Sequence, residues 1–390
     1  MKNSSPAQRS AVETARAVHR FTRRGVIKTG MAAVASGIAS VGPWYVKDAR
    51  SSSGECRVFI WSGYFPQVFI DKFEASTGIK LKITEAGSNE QILNKLKATR
   101  GRGFDVITPT MMRADQWRHL DLLQAWEPEK LPMENVEGRF LKASERDWTW
   151  DYGLYHLPHL WGTEALAYQT EHYTTSYGQL SLGDLWLPEV EGKTMGRPHS
   201  LMAGIGRYLA SQGTLPPFED AYKDEETARK IWSEVTRFAI EHKQWVRKFW
   251  NDAHTQKEGF LRNGVVLGQT WDGPIIELKN EGEPVNYMAP KEGAFAWMDG
   301  FSLPVGASNL DQTYELLAAC YTAKNAGLQA SLSGYNATVK GADNYISEGS
   351  KKAFQEAYPD DALEKLWWWP AESQWYADIR DEYRDKFIAA

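Results

Sequence analysis

From residue 55 onward the chain alternates short apolar runs with stretches of helical spacing. Residues 57–61 (RVFIW) read as a buried strand. Residues 66–76 carry Val68, Phe69 and Phe73 on one helical stripe, which Gly78 stops. A second strand is predicted at 79–83. Ser88 and Gln91 then have capping-box spacing, opening a helix through Lys97. Residues 104–108 predict a third strand ended by Pro109. This alternation predicts an α/β fold built on mostly parallel sheets, whose ligands sit beyond the carboxyl ends of the strands.

The pattern continues past a crossover region at 157–169, where two apolar runs flank Trp161-Gly162-Thr163. A short capped helix is expected at 181–186. The longest helix is expected at 224–250, with Ile231, Val235, Phe238, Trp245 and Phe249 as its core stripe. Strands are expected at 265–270 and 301–304. Several aromatic residues fall at predicted strand ends: Trp61 and Tyr64 after the first strand, Trp271 after 265–270, and Trp297, with Asp299, before 301–304. In a chain holding 17 Trp, 17 Tyr and 15 Phe, that recurrence points to an aromatic-edged cleft, since Trp and Tyr faces attract cations by about 0.5–2 kcal/mol each.

The N-terminus departs from this pattern. Arg23-Arg24-Gly25-Val26-Ile27-Lys28 leads into an uncharged, Gly-, Ala- and Ser-rich run from 29 to 46, similar to a twin-arginine export signal. Its removal, taken at residues 1–42, changes the formal charge from -5 to -11, with 38 Lys and Arg against 49 Asp and Glu. An acidic exported protein suits a cationic or neutral ligand and gives no support to nucleic-acid binding. No run approaches the ~20 apolar residues of a membrane span, so no insertion is expected after cleavage. Cys56 and Cys320 could pair in an oxidising compartment, but nothing in the sequence places them together.

Catalytic patterns are weak. Gly204-Ile205-Gly206 lacks the third glycine of a dinucleotide loop. There is no nucleophile elbow. His156 and His159 offer metal-ligand atoms, but Pro158 breaks the helix that would align them, so neither metal nor cofactor is expected. An exported enzyme or a sugar-binding protein, whose tryptophans would be stacking platforms, are the alternatives to a receptor.

Trp61-Ser62-Gly63-Tyr64, FEASTGIK at 73–80, Ser88-Asn89-Glu90, FDVITP at 104–109, Leu160-Trp161-Gly162-Thr163, Asp184-Leu185-Trp186, Trp271-Asp272-Gly273 and PKEGAFAWMD at 290–299 run in one order along the chain. In these segments the sequence resembles the periplasmic spermidine/putrescine-binding proteins of ABC importers. The resemblance implies a monomeric two-lobed receptor that closes on a small amine and delivers it to a membrane permease. Lobe 1 would comprise 55–162 and about 298–345, and lobe 2 would comprise 163–297 and about 346–390. Trp61, Tyr64, Thr110, Met112, Trp271, Trp297, Asp299, Tyr335 and Trp369 would line the cleft, with Asp299 taking an ammonium group.

The departures bear on specificity. Gly63 and Met112 stand where the family has an acidic residue and a tyrosine. The second lobe's two carboxylates fall at His199 and Met202, and a glutamine near the C-terminus falls around Pro370. No acidic residue lies between Gly192 and Phe218. A second ammonium buried there would go unpaired, at a cost of several kcal/mol, unless Glu164 or Asp272 reached it. The ligand is therefore a polyamine, a singly charged or methylated amine, or a zwitterion with Arg113, Arg197 or His199 facing its anion.

Overall fold

The computed structural model describes residues 54–390. The export segment read at 1–42 lies outside the described residues.

The first part of the chain builds a small parallel sheet in the order Lys80–Ala86, Glu55–Trp61, Val106–Ile107, with Trp61 opposite Ala86 and Phe59 opposite Ile107. Helices Gln67–Thr77 and Asn89–Thr99 make the crossovers. Phe69 and Phe73 are buried as expected, whereas Val68 is exposed and lies off the core stripe. Gly78, at φ 72°, caps the first helix by donating its N–H to the Glu74 carbonyl, a left-handed position that suits glycine. Ser88 Oγ accepts from Gln91 N at 3.1 Å, and the Gln91 side chain returns to Gly87 N at 2.7 Å.

The larger sheet is centred on one thirteen-residue strand, Leu157–Gln169, which joins the two expected apolar runs. Leu267–Trp271, Val285–Met288, Phe295–Phe301 and Asn336–Ala337 pair with it antiparallel. Thr194–Gly196 and Val246–Phe249 extend the sheet in parallel beyond Leu267–Trp271, and Trp367–Trp368 adds in parallel to Phe295–Phe301. The expected parallel order therefore holds in the small sheet and at these edges. The central ladders are antiparallel, the strands Leu267–Trp271, Val285–Met288 and Phe295–Phe301 all running against Leu157–Gln169.

Bridges between Ile107 and Ser302 and between Thr110 and Asp299 tie the small sheet to the end of the Phe295–Phe301 region. Two boundaries differ from expectation. The long helix is Glu225–Glu241, N-capped by Asp224, and ends at His242; Trp245 lies in a short 3₁₀ turn and Phe249 on a strand. Backbone pairing of Val246–Phe249 with Thr194–Gly196 outcompetes continuation of the helix. Trp297 and Asp299 lie inside the strand Phe295–Phe301, ahead of a separate short strand at Leu303–Pro304.

Candidate functional site

All nine side chains expected in the cleft line one cavity, together with Ser62, Asn89, Glu164, Arg197 and His199. Strand ends place them. Trp61 closes the strand Glu55–Trp61, and its indole N–H donates to the Thr108 carbonyl at 2.8 Å. Trp271 closes Leu267–Trp271 and meets Trp61 edge to face, with centroids 6.2 Å apart at 83°. Tyr64 lies nearly parallel to Trp297, at 6.4 Å and 13°, and Tyr335 stands across both at 5.3 Å. Trp369 stacks on Phe295 beside His199.

Asp299 is the acidic pole. It is 3 % exposed, accepts the Tyr64 hydroxyl on Oδ2, and leaves Oδ1 without a hydrogen-bond partner among the described residues. Burial pushes its carboxyl up to about 7, against the opposing pull of Thr110, Tyr64 and Arg197. Asn89 sets the position of Thr110, its neighbour across the bridge: Asn89 Nδ2 donates to Thr110 Oγ1 at 2.9 Å and Thr110 N donates to Asn89 Oδ1 at 3.0 Å. Trp297 Nε1 is also buried without a partner. Two residues of the cleft lining thus each keep one buried polar atom, an acceptor and a donor, without a partner among the described residues.

The opposite side is basic. Arg197 lies over Trp271 and Trp250, at 5.5 and 5.7 Å from the ring centroids, and donates to the Gly87 carbonyl at 3.3 Å. It is at the N-cap of helix Pro198–Ser211, which also carries His199. Burial first, and then Arg197, Arg380, Arg113 and Arg384, push the His199 imidazole well below its usual range, so it is neutral. Met202 is fully buried beneath and does not line the cavity.

Two candidates from the sequence, Arg113 and Asp272, are removed from ligand contact. Arg113 is 3 % exposed and is taken by Glu372 at 2.8 Å and Glu90 at 3.0 Å. Asp272 accepts Thr163 N, Gly273 N, the Tyr358 hydroxyl and Asn336 Nδ2, and does not line the cavity. Burial raises its carboxyl to about 7 in spite of these donors. Glu164 does line the cavity, with Oε1 accepting from Gln269 at 2.8 Å. Burial raises its pKa, and Arg197 is among the groups that oppose the rise.

Asn89 and Ser62 were not assigned to the cleft from sequence. The usable signal for Asn89 was an amide at the start of a helix that follows a strand's carboxyl end. His156 bonds Ser144 and His159 bonds Gln329, and burial lowers their imidazoles to about 3 and about 4. No cluster of three or more metal-ligating side chains occurs among the described residues.

The spermidine/putrescine-binding periplasmic protein 1 of Haemophilus influenzae is 28% identical over 278 residues, covering 70% of this chain and 71% of the relative. The spermidine/putrescine-binding periplasmic protein of Escherichia coli is 25% identical over 335 residues, covering 84% and 90%. Among solved structures, the spermidine/putrescine substrate-binding protein PotD of Streptococcus pneumoniae superposes with a TM-score of 0.65 at 20% identity, over 85% of this chain and 99% of that one. The fold is accordingly that of the two-lobed periplasmic binding proteins. A profile of bacterial extracellular solute-binding proteins matches residues 69–358, and the chain belongs to that family.

Proposed function

We propose that this chain is the periplasmic receptor of an ABC importer, exported by the twin-arginine route, which captures a small amine as a monomer and hands it unchanged to a membrane permease. The observation that carries the reading is the open Oδ1 of buried Asp299, framed by Tyr64, Trp297 and Tyr335. A buried carboxylate without a cation is costly. An ammonium supplies the missing charge and donor, and the aromatic faces hold its alkyl part and favour its charge. The relatives named for spermidine and putrescine binding support the same ligand class.

Gly162 and Trp297, the residues at the expected lobe boundaries, are register partners on the strands Leu157–Gln169 and Phe295–Phe301. This supports a hinge there, with lobe 1 at 55–162 and about 298–345. Ligand binding favours the closed form only as far as the solute touches both lobes at once. Calorimetric titration with putrescine, spermidine, simple monoamines and oligosaccharides tests the function. Saturable binding of at least one amine is expected; binding of sugars alone contradicts it.

A further inference from the structure

The second pole of the cleft is positive where a diamine would need it negative. Between Gly192 and Phe218 the chain has no acidic residue, and the cavity wall contributed there consists of Arg197 and His199. Among the described residues the Arg197 guanidinium forms no salt bridge, and its one hydrogen bond goes to the Gly87 carbonyl. Of the four arginines that act on His199, Arg113 and Arg380 are paired with Glu90 and Glu372, and Arg384 with Asp381. Arg197 is left as the cation beside the ring without a salt bridge among the described residues, and it favours an anion there over a second cation. Glu164, the other carboxylate in the wall, is 3 % exposed, already holds Gln269 Nε2, and has Arg197 as its opposing charge. Asp272 is occupied by four donors outside the cavity.

A second observation concerns hydrogen-bonding capacity. Asp299 Oδ1 and Trp297 Nε1 are both buried without a hydrogen-bond partner among the described residues. A pure amine offers protons to the first and nothing to the second. A molecule carrying an ammonium and an anionic oxygen offers both a donor and an acceptor.

We infer that the solute is amphoteric, an aliphatic amino-carboxylate whose ammonium is held by Asp299 and whose carboxylate faces Arg197 and His199. This inference rests on the amine-receptor reading and narrows its ligand class. It also gives the loss of the second-lobe carboxylates a physical sense: substituting basic and neutral groups for acids inverts the preferred charge at the far end of the ligand.

The test is a titration of the full chain with three series matched in carbon number from three to six: ω-amino acids, α,ω-diamines and primary monoamines. The best amino acid is expected to bind at least about tenfold more tightly than its matching diamine and monoamine. In Arg197→Gln the advantage of the amino acid over its matching monoamine is expected to disappear. In His199→Glu the order is expected to shift toward the diamine. A wild-type protein that binds diamines as tightly as amino acids, or monoamines equally well, overturns the inference and leaves the amine receptor standing. Retention of the amino-acid preference in Arg197→Gln overturns it as well. Absence of binding in all three series contradicts the inference, and absence of spermidine binding as well contradicts the reading beneath it.

Discussion

The Tyr64 hydroxyl donates to Asp299 Oδ2 from the other side of the cleft's aromatic wall, so a residue following the first strand orients the carboxylate of a strand more than two hundred positions later. Burial raises the tyrosine's pKa well above its usual range, with the Asp299 charge adding to the effect, which keeps the phenol a donor at neutral pH. The carboxylate's other oxygen is buried without a partner among the described residues. Geometry of this kind preorganises one ammonium position and leaves the rest of the ligand to the surrounding walls.

The raised carboxyl of Asp299 makes binding pH-dependent. Its ordinary value is 3.8 and burial lifts it to about 7 in the empty protein. Capturing a cation requires the ionised form, so affinity for an amine of constant charge is expected to rise with pH, by up to about tenfold per unit between pH 5 and 7, and to level off above about 7. The linked proton release should be measurable by calorimetry in buffers of different ionisation enthalpy near pH 6. Affinity that falls as pH rises across this interval contradicts the assignment. Folding has the opposite dependence: a carboxyl that keeps its proton only when folded loses stability as pH rises from about 4 to about 7. Asp299→Asn should therefore melt no lower than the wild type at pH 8.

Gly162 explains a motif that the sequence displayed without its reason. A Cβ there would lie 2.5 Å from Trp297 Cζ2 and 2.7 Å from Asp272 Oδ1. The glycine lets the cleft tryptophan lie against the strand Leu157–Gln169, and Asp272 fastens that strand through Thr163 N. Gly162→Ala is expected to cost roughly 1–3 kcal/mol of stability by overpacking and to weaken ligand binding through Trp297. Denaturant unfolding and titration check both. Wild-type behaviour would show that the contact relaxes freely.

The strand ends and glycine motifs were legible because both leave local signatures: an apolar run stopped by an aromatic, or a glycine beside bulky residues. Gly273 obeys the same rule, since a Cβ would meet Tyr335 Cε1 at 2.6 Å. The direction of the central ladders was not legible. Residues 157–169 and 295–301 pair over a separation that no local pattern encodes. The fate of Arg113 was equally hidden, because its partner Glu372 comes from the C-terminal part of the chain.

That arginine belongs to a buried ion cluster. Glu372, 1 % exposed, sits between Arg113 at 2.8 Å and Arg380 at 2.7 Å, and Glu90 contacts both arginines. Glu90 and Arg113 flank the small sheet, whereas Arg380 lies on the C-terminal helix Gln374–Ala389. Glu372→Gln leaves two buried guanidinium groups short of charge and is expected to cost about 3–5 kcal/mol, read from denaturant unfolding at pH 7. An unchanged midpoint would remove the cluster from any stabilising role. Burial alone would raise Glu90, but Arg113 and Arg380 outweigh it and hold the carboxyl down to about 2 from an ordinary 4.5. Its contribution is thus present above about pH 4.5 and lost as pH falls toward 2, so the stability gap between wild type and Glu90→Gln should close over that range.

Cys56 and Cys320 are free buried thiols. Burial pushes the Cys56 thiol up to about 12 and raises Cys320 as well, which leaves little thiolate at neutral pH. A maleimide reagent is expected to label neither cysteine in the native protein and both after unfolding, and reductant should leave the melting temperature unchanged. A fall in melting temperature on reduction would mean that the two are bridged.

The central claim is that Asp299 captures the cationic end of the solute, and its most direct test is a melting-temperature screen of the wild type beside Asp299→Asn. The panel holds polyamines, monoamines, amino acids and sugars. Ligand at about one hundred times its dissociation constant adds about 2.7 kcal/mol of stability. Stabilisation of the wild type by amine-bearing compounds alone, lost in the folded variant, is the result expected. Equal stabilisation of both proteins by an amine, or a response confined to sugars, would contradict the account.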